Sequence, residues 1–306
     1  MTWSGQPVLV TGATGFIGSH VCRMLDEAGA AVHGVGRRST SGVSGMVCYH
    51  AGDLADASFV DRVLDEVRPR CVFHLASHVV GARDLEQVAS TLRDGLIATV
   101  NILTAAVRYG RPRVVLAGSL EEPEPEGEDL VPSSPYAAAK LAGTAYARMF
   151  HALYELPVVH ARIFMVYGPG QRDLKKLVPY TILSLLRGEA PRVSAGERLV
   201  DWVYVEDVAQ GLLRMGEQEG IEGQRVDLGT GILTSVRDVV MELTSLVRAD
   251  IVPKFGALAT RPMEQVRRAD AAAAERVMGW RPEFSLAEGL TRTVDWYSAQ
   301  VAEGRL

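Results

Sequence analysis

The sequence predicts an α/β fold: a doubly wound parallel sheet followed by a smaller C-terminal α/β part. Three observations point there. Short, near-continuous apolar runs alternate with longer amphipathic segments through the first half. Such runs suit strands of a parallel sheet that is covered by helices on both faces. The first run leads straight into a glycine-rich turn, and the second half is less regular, with a Gly168-Pro169-Gly170 turn.

The strand candidates of the first half are Val8–Val10, Ala31–Val35, Cys71–Leu75, Val114–Ala117 and Val158–Ile163. Helices are expected between them over 16–29, 56–67, 84–109 and 135–155, where the apolar residues take up a helical period. The second half predicts strands over Trp202–Val205 and Arg225–Leu228. It predicts helices over 175–187, 207–217, 235–248, 270–278 and 286–302. Ser235 and Ser285 stand where hydroxyl caps would start two of them.

Composition narrows the class. The 306 residues are 47% hydrophobic and 23% charged, ample for a real core. A net charge of -5 offers no overall basic face to nucleic acid. Cys22, Cys48 and Cys71 form an odd, sparse set without CxxC spacing. That pattern fits a reducing cytosol and predicts neither a disulfide framework nor a structural zinc site, so no metal is expected. The N-terminus lacks a basic stretch before an apolar one, so no signal peptide is expected. No apolar run reaches the ~18 residues of a membrane span. The expected location is cytoplasmic, with no membrane partner.

Residues 8–18 read Val-Leu-Val-Thr-Gly-Ala-Thr-Gly-Phe-Ile-Gly. An apolar strand, the turn Gly12-x-x-Gly15-x-x-Gly18 and a helix follow in that order. Gly12 permits a tight turn, Gly15 lets backbone approach a pyrophosphate, and Gly18 lets helix pack closely on strand. The helix N-terminus then presents unpaired N–H groups to the phosphates. This is a dinucleotide site on a Rossmann-type sheet, with Thr14, Phe16 and Ile17 completing the turn. The expected organisation is a cofactor domain over 1–164 and a substrate domain over 165–306, with 201–230 returning to the first.

The end of the second strand discriminates between dinucleotides, because a carboxylate there suits the ribose hydroxyls and arginine suits a 2′-phosphate. Here the stretch is Val32-His33-Gly34-Val35-Gly36-Arg37-Arg38-Ser39, without a carboxylate. NADP is therefore expected, with Arg37 and Arg38 as its ribose-phosphate contacts and NAD as the alternative. Asp53, in Gly52-Asp53-Leu54, is placed to meet the adenine amino group.

Tyr136 and Lys140 are spaced i, i+4 at the start of an expected helix after Ser134-Pro135, which puts both on one face. An ammonium nearby favours tyrosinate and so lowers the tyrosine pKa from its ordinary value of about 10. Tyr136 then becomes a usable general acid or base. Ser119, ending the preceding apolar run, could hold the reacting oxygen.

Thr11-Gly-Ala-Thr-Gly-Phe-Ile-Gly18, Gly52-Asp53-Leu54, His74-Leu75-Ala76, Ser119 and Ser134-Pro135-Tyr136-Ala-Ala-Ala-Lys140 together resemble the extended short-chain dehydrogenase/reductases. The resemblance covers nearly the whole chain. Arg162–Gln171 and Asp201–Val208 are similar to segments of the nucleotide-sugar epimerases and dehydratases. Arg261-Pro262-Met263-Glu264 resembles their grip on a sugar-nucleotide diphosphate, and Gly279-Trp280-Arg281-Pro282 also fits. The resemblance implies hydride transfer at C4 of a nucleotide-diphosphate sugar, with Leu54, Leu75, Ala76, Tyr136 and Lys140 beside the cofactor. It implies Met165, Val178, Arg198, Arg261 and Glu264 beside the substrate, and a homodimer formed by the helices over 84–109 and 135–155.

Glu121 sits two residues after Ser119, the offset at which 4,6-dehydratases carry the glutamate that removes water across C5 and C6. The stretch 32–39 is similar to the NADP-using GDP-mannose 4,6-dehydratases, and Ser119-Leu-Glu-Glu122 to 4-keto-sugar reductases. The expected function leans to a 4,6-dehydratase. An NADPH-dependent 4-keto-sugar reductase is the first alternative, and a non-catalytic NADP-binding protein is one of another class. Departures from the family are Pro123-Glu124 in place of Tyr-Gly, a short Ser119–Tyr136 interval, Met165 for asparagine, Val200 for arginine and Gly95 for asparagine. Arg198 could stand in for the arginine missing at 200.

Overall fold

A computed structural model describes residues 3–37, 45–79, 83–124, 130–247, 250–259 and 263–306. Strand β1 (Pro7–Thr11) runs into helix α1 (Phe16–Glu27). The helix buries Gly18, Val21, Cys22 and Leu25, the one-sided stripe of an amphipathic helix. Strands β2 (Ala31–Gly36) and β3 (Cys48–Ala51) precede α2 (Ala57–Val67). Asp56 caps α2 by accepting the Ser58 N–H at 2.9 Å, and Val60, Val63, Leu64 and Val67 form its buried face. Each such side chain contributes roughly 1.5–3 kcal/mol on burial.

After β4 (Cys71–His74) comes α3 (Gln87–Thr91), a π-helical stretch over Leu92–Ile97, and α4 (Ala98–Arg108). The helix expected over 84–109 is thus broken in character at its centre. The Thr99 hydroxyl donates to the Gly95 carbonyl at 2.6 Å inside this region. A Cβ on Gly95 would meet the Ala139 methyl at 3.3 Å, so the asparagine common in relatives would press on the next helix.

Strand β5 (Arg113–Ser119), helix α5 (Pro135–Tyr154) and strand β6 (Val158–Ile163) follow. Ser134 caps α5 through the Ala137 N–H at 3.1 Å, with Pro135 in the first turn where its missing N–H costs nothing. Then come β7 (Met165–Tyr167), α6 (Leu177–Leu186), β8 (Leu199–Tyr204), α7 (Val205–Glu217) and β9 (Arg225–Leu228). The chain ends with β10 (Leu233–Ser235), α8 (Val236–Val247), α9 (Ala271–Met278) and α10 (Leu286–Ala302). Ser235 accepts the Asp238 N–H at 3.0 Å, and Ser285 with Glu288 forms a capping box, so both expected caps are present.

Seven strands form one sheet in the order β3-β2-β1-β4-β5-β6-β9. β1 pairs in parallel with both β2 and β4, so strand order reverses there. A crevice at the carboxyl ends of the strands is expected at such a switch point. Thr11 and His74, paired in register, lie at the ends of β1 and β4.

The chain divides into two compact units. The first comprises Met1–Ile163, Ala209–Asp227 and Ala273–Trp280, the second Phe164–Val208, Leu228–Ala272 and Arg281–Leu306. In the first, Leu9, Val35, Leu64, Val72, Ile102 and Leu116 share one apolar cluster. The second holds a three-stranded sheet ordered β10-β8-β7 around Tyr167, Trp202, Tyr204, Leu290 and Tyr297. Its Asp201 is buried and accepts the Thr230, Gly231 and Ala269 N–H groups and the Thr230 hydroxyl at 2.7–2.9 Å, tying three segments together. No helix among the described residues is long and apolar enough to cross a membrane.

Candidate active site

The glycine turn is built by close approach. Gly12 has φ +69°, and a Cβ there would lie 2.9 Å from the Ala76 nitrogen. A Cβ on Gly18 would fall 2.1 Å from the Gly12 carbonyl oxygen, far inside contact. That carbonyl accepts the Gly15 N–H at 2.8 Å. Gly15 is the N-cap of α1 and offers no side chain to its first-turn amides. A helix start left without a side-chain cap, at the end of a switch-point strand, fits a pyrophosphate. Thr14 and the N-terminal residues Phe16 and Ile17 are half-buried beside it.

Behind the turn, the Thr11 hydroxyl accepts the Leu75 and Ala76 N–H groups, each at 3.1 Å, and bonds His74 Nδ1 at 2.8 Å. His74 Nε2 bonds the Thr99 hydroxyl at 3.0 Å. Burial, helped by the Lys140 charge, pushes His74 down to about 3, so the imidazole is neutral. This network locks Leu75 and Ala76 beside the turn.

Just past the end of β2, Arg37 is largely exposed and pairs with Asp94 at 2.7 Å. Arg93 contacts Asp94 at 3.1 Å and also pairs with Asp53. The Asp53 carboxylate further accepts the Ala55 N–H at 2.9 Å. Arg37 and Asp53 are therefore joined through Asp94 and Arg93. The Leu54 side chain is buried in the apolar cluster, and its carbonyl accepts from Asn101 at 2.9 Å. Arg38 lies outside the described residues.

At the end of β5, the structure brings Ser119, Tyr136 and Lys140 together. The Ser119 hydroxyl stands close enough to the Tyr136 phenol to favour its ionised form. Lys140 Nζ donates to the Ala117 carbonyl at 2.7 Å and lies 5.8 Å from the centre of the Tyr136 ring. The expected electrostatics are corrected here. Burial pushes the Tyr136 phenol up to about 12, and the charges of Glu122 and Glu121 act in the same direction. The Ser119 hydroxyl opposes them without prevailing. Lys140 is itself pushed down to about 8 by burial, and its ammonium is aimed at a backbone carbonyl rather than at the phenol oxygen. Tyr136 is thus held protonated, the form in which a general acid begins.

The Glu121 N–H donates to the Ser119 hydroxyl at 3.2 Å, and its carboxylate accepts from Ser133 at 3.4 Å. Glu122, which the sequence did not single out as a site residue, is buried directly behind Ser119. Its carboxylate accepts the Ser119 N–H and the Thr144 hydroxyl, each at 2.7 Å, and faces His160 Nε2 at 3.4 Å. Burial alone would raise its pKa. The bonds and charge from His160, with Thr144 and the Ser119 N–H, overcome that and bring it down to about 2. Only its position after Ser119-Leu-Glu121 signalled it, since His160 and Thr144 come from distant segments. The unusual Glu124 is explained too: it pairs with Arg162 and lies 3.1 Å from Arg225, while Arg162 grips Asp227 through two bonds of 2.6 and 2.7 Å.

In the second unit, Arg198 bonds Glu264 and the Gln265 carbonyl, each at 3.0 Å. Val200 is buried in the aromatic cluster, a place unsuited to arginine, and Arg198 stands two residues before it. Val178 is buried in the same cluster, and Met165 is half-buried on β7. Arg261 lies outside the described residues.

The model of the NAD dependent epimerase/dehydratase family matches residues 8–229. A UDP-glucose 4-epimerase of Mycolicibacterium smegmatis is 32% identical, over 94% of this chain and 97% of its own. A dTDP-glucose 4,6-dehydratase of Streptomyces antibioticus is 31% identical, over 95% and 92%. Among solved structures, MoeE5 in complex with UDP-glucose and NAD superposes with a TM-score of 0.86 at 32% identity, over 96% of this chain and 99% of its own.

Proposed function

The chain belongs to the NAD dependent epimerase/dehydratase family, and from that premise we propose that it moves a hydride at C4 of a nucleotide-diphosphate sugar. The observation that carries this reading is the meeting of Ser119, Tyr136 and Lys140 at the end of β5, in the unit that also holds the glycine turn. When bound, the nicotinamide supplies the hydride acceptor and donor. Gly12, Thr14, Gly15, Phe16, Ile17 and Gly18 would hold the pyrophosphate, Asp53 the adenine amino group, and Leu54, Leu75 and Ala76 the adjoining faces. Ser119 holds the sugar oxygen, and Tyr136 exchanges a proton with it. Lys140 secures the end of β5 through Ala117 and supplies positive charge beside the phenol. Arg198 and Glu264, with Arg261, serve the substrate diphosphate, and Met165 and Val178 belong to the sugar side.

The finer reading is a 4,6-dehydratase, with Glu121 as the group that removes water across C5 and C6. Its support is the position of Glu121, whose backbone is tied to the Ser119 hydroxyl. A second reading, a 4-epimerase, is favoured by the similarity to the UDP-glucose 4-epimerase. NADP is the cofactor this reading favours over NAD, because the end of β2 offers Arg37 and no carboxylate. A 2′-phosphate would have to compete with Asp94 for that guanidinium. A homodimer is part of the same reading, supported by the exposed apolar side chains Leu92, Ile97, Tyr146 and Leu153 on the expected helices. A monomer by light scattering at micromolar concentration would remove that element.

Incubation with a panel of nucleotide sugars and 4-keto sugars, with and without added NADPH, tests the reading. A 4-keto-6-deoxy product without added NADPH supports the dehydratase. An inverted C4 without NADPH supports the epimerase. Strict dependence on NADPH overturns both in favour of a reductase, and no turnover of any sugar overturns the whole reading.

A further inference from the structure

At the far edge of the seven-stranded sheet from β9, strands β2 and β3 run in parallel, with His33 paired to Cys48 and Val35 to His50. Side chains alternate along a strand, so Cys48 and His50 project to the same side, and the register sets His33 beside them. One ring nitrogen of His33, one of His50 and Cys48 Sγ all lie within 4.8 Å of one another. The two imidazoles are stacked at 20° with centroids 5.6 Å apart. All three side chains are half-buried, accessible from solvent yet held by their surroundings.

The His33–His50 nitrogen separation is 3.3 Å, long for a hydrogen bond between neutral rings. Two imidazole nitrogens each about 2.0–2.1 Å from a tetrahedral zinc stand roughly 3.3–3.4 Å apart. A thiolate at about 2.3 Å from the same ion would stand roughly 3.5–3.6 Å from each nitrogen. The cluster therefore needs only a modest inward movement of Cys48 to enclose an ion.

We propose that His33, Cys48 and His50 form a binding site for a divalent transition metal, with zinc as the best match to two imidazoles and a thiolate. The chemistry of the donors excludes magnesium and calcium, which take oxygen ligands. The site is assembled by strand pairing rather than by a CxxC spacing, so reading cysteine spacings along the chain passes over it. A bound ion would join the edge strand β3 to β2 without involving Ser119, Tyr136 or Lys140.

The test uses the untagged full chain, freed of metal by a chelator and titrated with zinc, with cobalt as the spectroscopic probe. One equivalent per chain is expected, with tetrahedral cobalt absorption and a thiolate-to-cobalt charge-transfer band. Cys48→Ser should abolish that band. His50→Gln should weaken zinc binding by at least about tenfold. Zinc should raise the unfolding temperature of the wild-type chain and leave that of the Cys48→Ser, His50→Gln double variant unchanged. Metal-free unfolding of each variant at the wild-type temperature shows that the fold is kept. Absence of binding at micromolar zinc, or binding that survives in the double variant, overturns the proposal. Turnover plays no part in these readouts, so they stand or fall separately from the proposed sugar chemistry.

Discussion

The end of β1 and the end of β5 lie in one unit and are built on opposite principles. At β1 the surface is made by leaving side chains out: Gly12, Gly15 and Gly18 let backbone meet backbone, and the nearest imidazole, His74, is neutral. At β5 the surface is made by bringing side chains in, with Ser119, Tyr136 and Lys140 backed by a carboxylate that keeps its charge although buried. Shape should therefore dominate the behaviour of the first region and charge that of the second. Substitutions in the two should fail in different ways.

The largest effect is expected from Tyr136→Phe. Loss of the phenol hydroxyl should lower turnover on the sugar found in the panel by roughly 10²–10⁴-fold, the usual worth of a positioned proton donor. Cofactor affinity, followed by NADPH fluorescence, should stay near the wild-type value. Near-normal turnover would show that the β5 region does not carry the proton. Gly18→Ala should do the reverse. Its methyl would overlap the Gly12 carbonyl oxygen at 2.1 Å, so cofactor affinity should collapse. Stability should fall by about 1–3 kcal/mol, the usual penalty for forced overpacking, as read by urea unfolding. Retained NADPH binding would break the claim that close approach makes this turn.

Glu122→Gln is expected to act through pH. The folded-state pKa of Glu122 lies near 2, below the ordinary 4.5, so its stabilisation is complete above 4.5 and is lost as pH falls toward 2. The whole effect is on the order of 3 kcal/mol. The glutamine variant should be less stable near neutrality and show a flatter decline in acid, measured by denaturant midpoints across that range. An unchanged acid profile would show that the charge behind Ser119 contributes nothing. The smallest effect is expected from Arg37→Ala, an exposed cation already shared with Asp94. Preference for NADP over NAD should drop by about tenfold, comparing dissociation constants. No drop would assign the choice of dinucleotide elsewhere.

The same contrast explains what could be read in advance. The parallel sheet and the glycine turn were legible because backbone needs are local: apolar runs, a glycine where a Cβ cannot fit, a serine before a helix. Ser119, Tyr136 and Lys140 were legible as a motif, and they do meet. Their electrostatics were not, because the Tyr136 pKa depends on burial and on Glu122, neither of which follows from an i, i+4 spacing. The break in the helix over 84–109 was likewise hidden, since Gly95 matters through its approach to Ala139, a residue from another helix. Glu124 read only as a departure from the family pattern until Arg162 and Arg225 were brought to it by β6 and β9.

The segment from Ser119 to Glu124 bears on chimera design. It is fastened at both ends by acids: Glu122 to Thr144 and His160, Glu124 to Arg162 and Arg225. A loop transplanted here from a relative with Tyr-Gly in place of Pro123-Glu124 would take a carboxylate from Arg225 and leave Arg162 with Asp227 alone. Substrate specificity could be exchanged through this loop only if positions 144, 160, 162 and 225 travelled with it as one inherited block.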